Sequence, residues 1–243
     1  MRDVAEHKTI DFSQLYFLLR KKEGRIYSDE ALRMLPEINV QHPLYQEWQV
    51  RKRSCHKLMK YLNKKPRPLE ILEVGCGNGW LSAKLSDIPS SHVTGIDINT
   101  EEIDQAKRVF GEIENLEFLL SALQDVSIKH RRFDVIVFAA SIQYFSSLKE
   151  VVKEAMGHLK TRGEIHIIDS QLYTEQEVDL ARQRSNEYYK KIGFPEMKHQ
   201  YFHHLVKEIK MFNCTILYDP HTFLNKLKRN KNPLYWVCVK ANA

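Results

Sequence analysis

The sequence lacks a long apolar segment, and this absence argues against a membrane-spanning helix. The longest stretch without a charged side chain is the fourteen residues from Val135 to Leu148, whereas a membrane span needs roughly 18 to 20 residues. Met1–Lys8 is charged and contains no apolar core, so we expect no secretory signal. We therefore expect no membrane partner.

Glycine, proline and cysteine are also scarce. Nine Gly and eight Pro are too few for a collagen-like or linker-like chain, and 43% hydrophobic residues predict a globular core instead. The four cysteines form no C-x-x-C pair, and none accompanies a histidine pair at zinc-finger spacing. We therefore expect free thiols, no metal site and a reducing, cytoplasmic compartment.

The charge balance is mildly basic. Thirty-seven Lys and Arg against 31 Asp and Glu give a net charge of +6 over 243 residues. The basic residues are spread over several short clusters, so no single tract is typical of a nucleic-acid-binding arm. The excess permits an anionic substrate or a nucleic-acid partner and requires neither.

Residues 1–65 have helical patterns and no strand pattern. One apolar helical face begins at Phe12 and stops before Gly24, and a second helix is predicted from Pro43 to Leu62. We interpret this region as a helical lid or extension. Residues 66–243 are then predicted to form a single domain.

From residue 69 onward, strand patterns alternate with helical ones. Strands are predicted at 69–74, 93–97, 116–120, 133–139 and 164–169, and helices at 80–86, 101–110 and 148–159. This alternation predicts an α/β fold, with a parallel sheet covered by helices on both faces.

The pattern becomes helical again after Asp169, and residues 170–213 are predicted to form a helical lid insertion. Thr174 and Glu177 make a T-x-x-E capping box, and Gly193 is a candidate helix terminator. Another helix is predicted after Pro195. Its apolar stripe consists of Phe202, Leu205, Val206, Ile209 and Phe212. Strand patterns at 214–218 and 234–239 then predict an antiparallel hairpin at one edge of the sheet.

The strongest local signal is LEVGCGNGW, residues 72–80, in which a strand runs through G-x-G-x-G into a helix. Glycine allows the backbone to turn sharply and to approach a ligand closely, and the helix that follows presents free N–H groups. Asp97 ends the next strand, 22 residues after Gly75. A carboxylate there can accept both hydroxyls of a ribose, so the motif predicts a nucleotide-binding turn.

A dinucleotide cofactor fits this turn poorly. Its G-x-G-x-x-G fingerprint places a third glycine where this sequence has Trp80. An indole obstructs the close helix–strand packing that glycine permits, which disfavours an NAD-dependent oxidoreductase. Glu73, directly before the turn, suits a ligand with an ammonium or sulfonium group better than a pyrophosphate.

Residues 72–81, with Asp97 and the strand FDVIV at 133–137, resemble the class I S-adenosylmethionine-dependent methyltransferases. The resemblance covers about residues 69–169. It implies a Rossmann-like, doubly wound, seven-stranded and mostly parallel sheet with an antiparallel C-terminal edge strand. It also implies S-adenosylmethionine (SAM) as the cofactor, lying across the first two strands.

The resemblance assigns roles to individual residues of the cofactor site. Glu73 orients the turn, Asp97 holds the ribose and Ile98 lies against adenine, while an upstream arginine, Arg51 or Arg53, pairs with the SAM carboxylate. The loop after the third strand lacks the acid that usually meets the adenine amino group. The implied cofactor residues are Glu73, Gly75, Cys76, Gly77, Gly79, Asp97, Ile98, Ser121, Ala122, Ala139, Ala140 and Arg51.

The absence of certain motifs argues against some classes of methyl acceptor. No N-P-P-Y sequence follows the fourth strand, which argues against amino-methylation of bases, and no Pro-Cys is present for a pyrimidine C5 mechanism. RNA-binding modules are also absent. We expect a small-molecule acceptor, methylated on O or N. An RNA or protein methyltransferase and a non-catalytic SAM-binding protein remain alternatives, and the oligomeric state stays open.

Candidate acceptor residues follow the fourth and fifth strands. They are Gln143, Tyr144, Arg182, Tyr189 and Tyr201. Arg182 and Tyr189 would share one helix face with Asn186. His203 and His204 are candidate general bases because imidazole titrates near neutral pH. Adjacent residues on a helix point about 100° apart, so this pair does not predict a metal site.

Overall fold

The computed structural model describes residues 11–66, 68–227 and 231–241. Seven strands form one sheet. They are β1 (Leu69–Val74), β2 (Ser91–Asp97), β3 (Leu116–Leu120), β4 (Phe133–Ala139), β5 (Leu159–Ile168), β6 (Cys214–Tyr218) and β7 (Trp236–Lys240). The helices of the same residues are α1 (Phe12–Lys22), α2 (Asp29–Met34), α3 (Tyr45–Leu62), α4 (Trp80–Ser86), α5 (Thr100–Phe110), α6 (Leu148–Gly157), α7 (Val178–Ile192), α8 (Val206–Ile209) and α9 (Phe223–Lys226).

The strand order is β3-β2-β1-β4-β5-β7-β6. From β1 the chain adds β2 and then β3 on one side of the sheet. It then returns to the other side of β1, where β4 lies, so the strand order reverses between β1 and β4. Ligands of such sheets bind beyond the carboxyl ends of the strands at this reversal. β7 lies between β5 and the edge strand β6 and runs antiparallel to both, so it is the strand that points opposite to the other six. The predicted seven-stranded, mostly parallel sheet is confirmed.

Helices cover both faces of the sheet, because successive residues of a buried strand point to opposite sides. Ile71 of β1 packs with Leu58 of α3, Leu81 of α4 and Ile103 of α5 in one core. Its neighbour Leu72 belongs to the second core, on the side of α6. The sheet is therefore doubly wound, as predicted.

The N-terminal region contains three helices where the sequence predicts two. The additional helix, α2, has only six residues, too few for a hydrophobic period to be visible. The sequence nevertheless marks the start of this helix with an N-cap residue, Ser28, because the Ser28 side chain accepts a hydrogen bond from the Ala31 N–H. Leu58 and Leu62 of α3 are completely buried in the core, so α3 belongs to the packed body of the domain.

The predicted helix after Pro195 is wrong. A short 3₁₀ helix covers Pro195–His199, and only the four residues of α8 are helical after it. The intervening chain is extended because it pairs with another segment: the Tyr173 N–H donates to the His204 carbonyl, and the Val206 N–H donates to the Tyr173 carbonyl. The apolar residues between 202 and 212 therefore follow an extended segment and a single helical turn.

Other local predictions hold at the ends of elements. The Glu177 carboxylate accepts hydrogen bonds from the N–H and hydroxyl of Thr174, directly before α7. Gly193 ends α7 with a φ of 88°, a left-handed conformation that glycine adopts without strain. β5 begins five residues earlier than predicted, at Leu159, which pairs with Phe133 of β4.

Candidate functional site

Two adjoining cavities open at the carboxyl edge of the sheet, where the strand order reverses. Tyr16, Gly75, Ala140 and Tyr144 line both of them, so they form one continuous cleft. The first cavity is mainly apolar and lies over the ends of β2 and β3. The second contains most of the charged side chains and lies over the ends of β1, β4 and β5.

The glycine turn forms the floor of the cleft. Gly75, Gly77 and Gly79 have φ values of 72°, 52° and 78°, so each occupies the left-handed region in which side chains are strained. At Gly79 a Cβ atom would also lie 2.5 Å from the ring of Phe118. The turn is therefore specific for glycine, and the helix that follows it, α4, can pack closely on the sheet.

Asp97 links the end of β2 to this turn. Its Oδ2 accepts the Gly77 N–H at 2.8 Å, and its Oδ1 accepts the Asn99 N–H at 2.9 Å. Burial raises the pKa of Asp97, and these N–H groups oppose that shift. Each carboxylate oxygen keeps a further lone pair for a ligand hydroxyl.

The apolar cavity contains the residues expected around adenine. Ile98, which is 49% exposed, lines it together with Ser121 and Ala122. Asp125, a residue that the sequence reading did not single out, stabilises the loop by accepting the Ala122 N–H at 2.7 Å. Ser121 bonds to Ser127 instead, at 2.7 Å between the two hydroxyls.

Helix α1 covers the cleft from above. The side-chain amide of Asn99 donates to the carbonyl and hydroxyl oxygens of Ser13, both at 2.9 Å, which fastens α1 to the start of α5. The ring of Tyr16 packs edge-on against Tyr144, with 5.2 Å between the ring centroids. α1 is thus one part of the predicted lid that meets the cleft.

The charged cavity is organised around Glu47. Arg25 donates two hydrogen bonds to its carboxylate, at 2.6 and 2.7 Å, and Arg51 donates two more at 3.1 and 3.0 Å. Burial alone would raise the pKa of Glu47, but the two guanidinium groups outweigh it and hold the pKa at about 2. Arg51 therefore lines the cleft, as expected, with Glu47 as its partner. Arg53 contacts the Lys231 carbonyl instead.

Arg20 lies in the cleft, although the sequence did not predict it as a site residue. It lines the charged cavity from α1, with its guanidinium 5.7 Å from the centre of the Tyr16 ring. Its buried Nε has no hydrogen-bond acceptor, and no carboxylate of the described residues lies within 4 Å of its guanidinium nitrogens. In sequence it is one of several basic residues in the last turn of a helix, a position that is usually solvated.

Glu73 and Cys76 lie beneath the turn and are both buried. Burial raises the pKa of Glu73 to about 8, against the hydrogen bond that it accepts from the Ser82 hydroxyl at 2.5 Å. Burial also raises the pKa of the Cys76 thiol well above its usual value. A thiol in that state is a small packing residue and not a nucleophile.

The acceptor side of the cleft is aromatic. Ala139, Gln143, Tyr189 and Tyr201 line it with residues already described. The rings of Tyr144, Tyr201 and Tyr189 are neighbours, with 5.9 Å between the centroids of each successive pair. Gln143 donates to the Ala140 carbonyl at 2.6 Å, while its buried Oε1 has no partner.

One expected acceptor residue, Arg182, and the two candidate general bases, His203 and His204, lie outside this cleft. Arg182 is exposed and pairs with Asp179 at 3.0 Å. The His203 ring lies 2.9 Å from the Ser185 hydroxyl, and the buried His204 ring lies 3.1 Å from the Ile142 carbonyl. These residues line a separate cavity, because the segment that carries the histidines is extended and turns them away. Arg182 and Tyr189 were predicted to face one site from the same side of a helix, but they line different cavities.

One group of metal-ligating side chains occurs in the described residues: Glu164, His166 and Cys238. The Trp236 indole N–H donates to His166 Nδ1 at 3.1 Å, so the ring carries its proton on Nε2, 3.3 Å from the Glu164 carboxylate. Lys65 also pairs with that carboxylate, at 2.7 Å. A protonated Nε2 cannot bind a metal, and Glu164 is already paired with Lys65.

Two further expectations concern cysteine and membrane association. All four cysteines are free thiols, as predicted. Within the described residues, no helix combines the length and apolar character that a membrane span requires.

Comparison with known proteins agrees with this geometry. Residues 71–163 match the family model of the methyltransferase domain. This segment of the chain is therefore a methyltransferase domain, and the resemblance to the class I SAM-dependent methyltransferases drawn from the glycine turn is confirmed over it.

Relatives of known name match the same region. The malonyl-[acyl-carrier protein] O-methyltransferase of Bacillus anthracis is 29% identical over 142 residues, which cover 57% of this chain and 52% of that protein. The demethylmenaquinone methyltransferase of Chlorobaculum tepidum is 30% identical over 116 residues, which cover 48% and 46% respectively. The chain thus spans about half the length of the relatives it matches.

Solved structures share the architecture over most of the chain. The plantazolicin methyltransferase BpumL, in complex with a monoazolic desmethylPZN analog and SAH, aligns with a TM-score of 0.54 at 16% identity, covering 93% of this chain and all of that one. The CurJ carbon methyltransferase aligns with a TM-score of 0.60 at 16% identity, covering 94% of this chain and 67% of that one. At these identities the shared property is the fold.

Proposed function

We propose that the protein is a SAM-dependent methyltransferase that acts on a small-molecule acceptor. The observation that carries this proposal is the glycine turn with Asp97 bonded to it, at the reversal point of a methyltransferase-type sheet. The names of the relatives and of the structural neighbours support the same activity. The four free cysteines support a reducing, cytoplasmic compartment.

The residues of the cleft fit the three parts of SAM. Asp97 offers carboxylate lone pairs to the ribose, and the apolar cavity beside Ile98 and Ala122 suits adenine. The Arg20 guanidinium, whose buried Nε has no acceptor, suits the carboxylate of the methionine part, since a buried polar group without a partner is costly. We therefore assign Arg20 the role that the sequence analysis gave to Arg51 or Arg53.

SAM, when bound, supplies a methyl group on a sulfonium that is already activated for transfer. The protein's own contribution is alignment of the acceptor and exclusion of water. Tyr16 and Tyr144 close the cleft from above, and Tyr189 and Tyr201 line its acceptor side. An enclosed aromatic wall of this kind fits a small acceptor better than a folded macromolecule.

Calorimetry with S-adenosylhomocysteine (SAH), the demethylated product of SAM, tests this proposal. We expect the protein to bind SAH and to show no comparable affinity for NAD or NADP. Arg20→Met should weaken SAH by about tenfold or more, because a charge-assisted hydrogen bond is worth about 1.5–3 kcal/mol. Arg33→Met, on the exposed face of α2, is the matched control. Preference for NAD, or no binding of SAH, would overturn the proposal.

A further inference from the structure

Among the described residues that line the cleft, Asp169 is the acid with a buried carboxylate oxygen that lacks a partner. It is the first residue after β5, it is 9% exposed, and its Oδ1 has no hydrogen-bond donor. The other buried acids that line the cleft accept hydrogen bonds within the protein. They are Glu73, bonded to Ser82, Asp97, bonded to Gly77 and Asn99, and Glu102, bonded to the Asn78 backbone.

The backbone around Asp169 is strained in a way that suggests a functional reason. Asp169 and Ala140 have φ values of 53° and 54°, a left-handed conformation that is costly for any residue with a Cβ. The Ala140 N–H donates to the Ile168 carbonyl at 3.0 Å, so the two strained residues are neighbours at the ends of β4 and β5. Their conformations place the Asp169 carboxyl group beside Ala140, on the wall of the charged cavity.

The carboxyl group is also supported from behind. Ser54 of α3 hydrogen-bonds to Asp169, and the Ser54 hydroxyl in turn accepts the side-chain amide of Asn232 at 3.0 Å. Support of this kind fixes the orientation of a site carboxylate before a ligand arrives. Oδ1 of Asp169 nevertheless stays buried without a hydrogen-bond donor, in a residue that lines the cleft.

We propose that the carboxylate of Asp169, which lines the cleft and has an unsatisfied oxygen, receives the N–H or O–H of the methyl acceptor, and that the acceptor is an amine or an alcohol rather than a carboxylate. This inference rests on the proposed methyltransferase function. In the transfer, the N–C or O–C bond of the product forms as the S–C bond of the donor breaks. The proton on the acceptor atom passes to Asp169, and from there to solvent after product release.

The surrounding charges favour a proton-bearing acceptor. Arg51 and Glu47 are the charged groups that act on Asp169, and Arg51 is already bonded to Glu47. A carboxylate acceptor would place a second anion beside Asp169, which is unfavourable in a desolvated cleft. Burial raises the pKa of Asp169, and a more basic carboxylate is a better proton acceptor.

The first test does not require the natural acceptor. Sinefungin carries an ammonium group where SAM carries its sulfonium methyl, so it probes for an acid next to the reacting position. We expect the wild-type protein to bind sinefungin about tenfold more tightly than SAH. Asp169→Asn should lose this preference and keep its affinity for SAH within about twofold. Asp179→Asn, an exposed acid on α7, is the control and should behave as wild type.

The second test measures transfer of a labelled methyl group from SAM to pools of amines, alcohols and carboxylic acids. We expect products from the amine or the alcohol pool, which also distinguishes the two acceptor types. Asp169→Asn should lower kcat by about 10²–10⁴-fold, the usual contribution of a positioned base. Equal affinity of the wild type for sinefungin and SAH, an unchanged preference in Asp169→Asn, or transfer only to carboxylic acids would overturn the inference. Failure of the wild type to bind SAH would overturn the proposed function itself.

Discussion

Asp97 accepts a hydrogen bond from the backbone N–H of Gly77 at 2.8 Å, across 20 residues of sequence. The carboxylate therefore shapes the glycine turn in addition to facing the apolar cavity. A single substitution at Asp97 should loosen the turn and remove the ribose contact together.

We expect Asp97→Ala to weaken SAH binding by about 1–3 kcal/mol, the cost of losing a buried acceptor with hydroxyl or N–H partners. Isothermal titration calorimetry measures this directly. Asp104→Ala, an exposed acid on α5, should bind SAH as tightly as wild type. Unchanged affinity in Asp97→Ala would place the cofactor elsewhere in the protein.

The indole N–H of Trp48 donates to the Tyr27 hydroxyl at 2.7 Å in a buried setting. Trp48→Phe and Tyr27→Phe each remove one partner of this hydrogen bond, so their destabilising effects should not add. A double-mutant cycle from urea unfolding should give a coupling free energy of about 1 kcal/mol. A coupling near zero would mean that water replaces the lost partner at little cost.

Glu164 makes the stability depend on pH. Burial opposes its ionisation, but His166 and Lys65 outweigh burial and lower the pKa of Glu164 to about 2. Because the folded-state pKa lies below the unfolded one, this contribution is present at neutral pH and is lost as the pH falls from about 4.5 towards 2. Glu164→Gln should cost about 1–3 kcal/mol at pH 7 and distinctly less at pH 3.

Urea unfolding of this variant at the two pH values measures the effect. Glu112→Gln, an exposed acid beyond α5, is the control and should leave the free energy of unfolding unchanged. An equal loss at both pH values for Glu164→Gln would show that packing, and not charge, sets the role of Glu164.

The position of His203 leads to an expectation opposite to the one drawn from sequence. Its ring contacts Ser185 and lines a separate cavity, so His203→Ala should leave methyl transfer within about threefold of wild type. The acceptor pools described above provide the assay. A loss of 10²-fold or more, with SAH affinity unchanged, would restore His203 as the general base.

Much of the fold could be predicted from sequence because the signals are local. The strand at 69–74 is a short apolar run directly before glycines, and its neighbours alternate with amphipathic helices. The apolar stripe from Phe202 to Phe212 wrongly predicted a helix, because the same spacing also occurs in an extended chain that pairs with another segment. The bridge to Tyr173 that makes it extended joins residues more than 30 positions apart, and no local pattern encodes it.

The residues of the site also include some that the sequence predicts and some that it does not. The glycine turn and Asp97 are recognisable from sequence because the ligand contacts depend on backbone shape and on a strand end. Arg20 and Asp169 are not recognisable from sequence, because each is distinguished by a buried polar atom that has no hydrogen-bond partner. A lack of hydrogen-bond partners becomes visible only when all the neighbours of a side chain are in place.

The position of β7 has a consequence for biosynthesis. β7 lies between β5 and β6, although it follows both in the chain. Until residues 236–240 leave the ribosome, β5 presents an open edge, and the partners of His166 on β7, Trp236 and Cys238, are absent. An open edge invites pairing with other chains. The nascent chain should therefore be most prone to such pairing until β7 inserts.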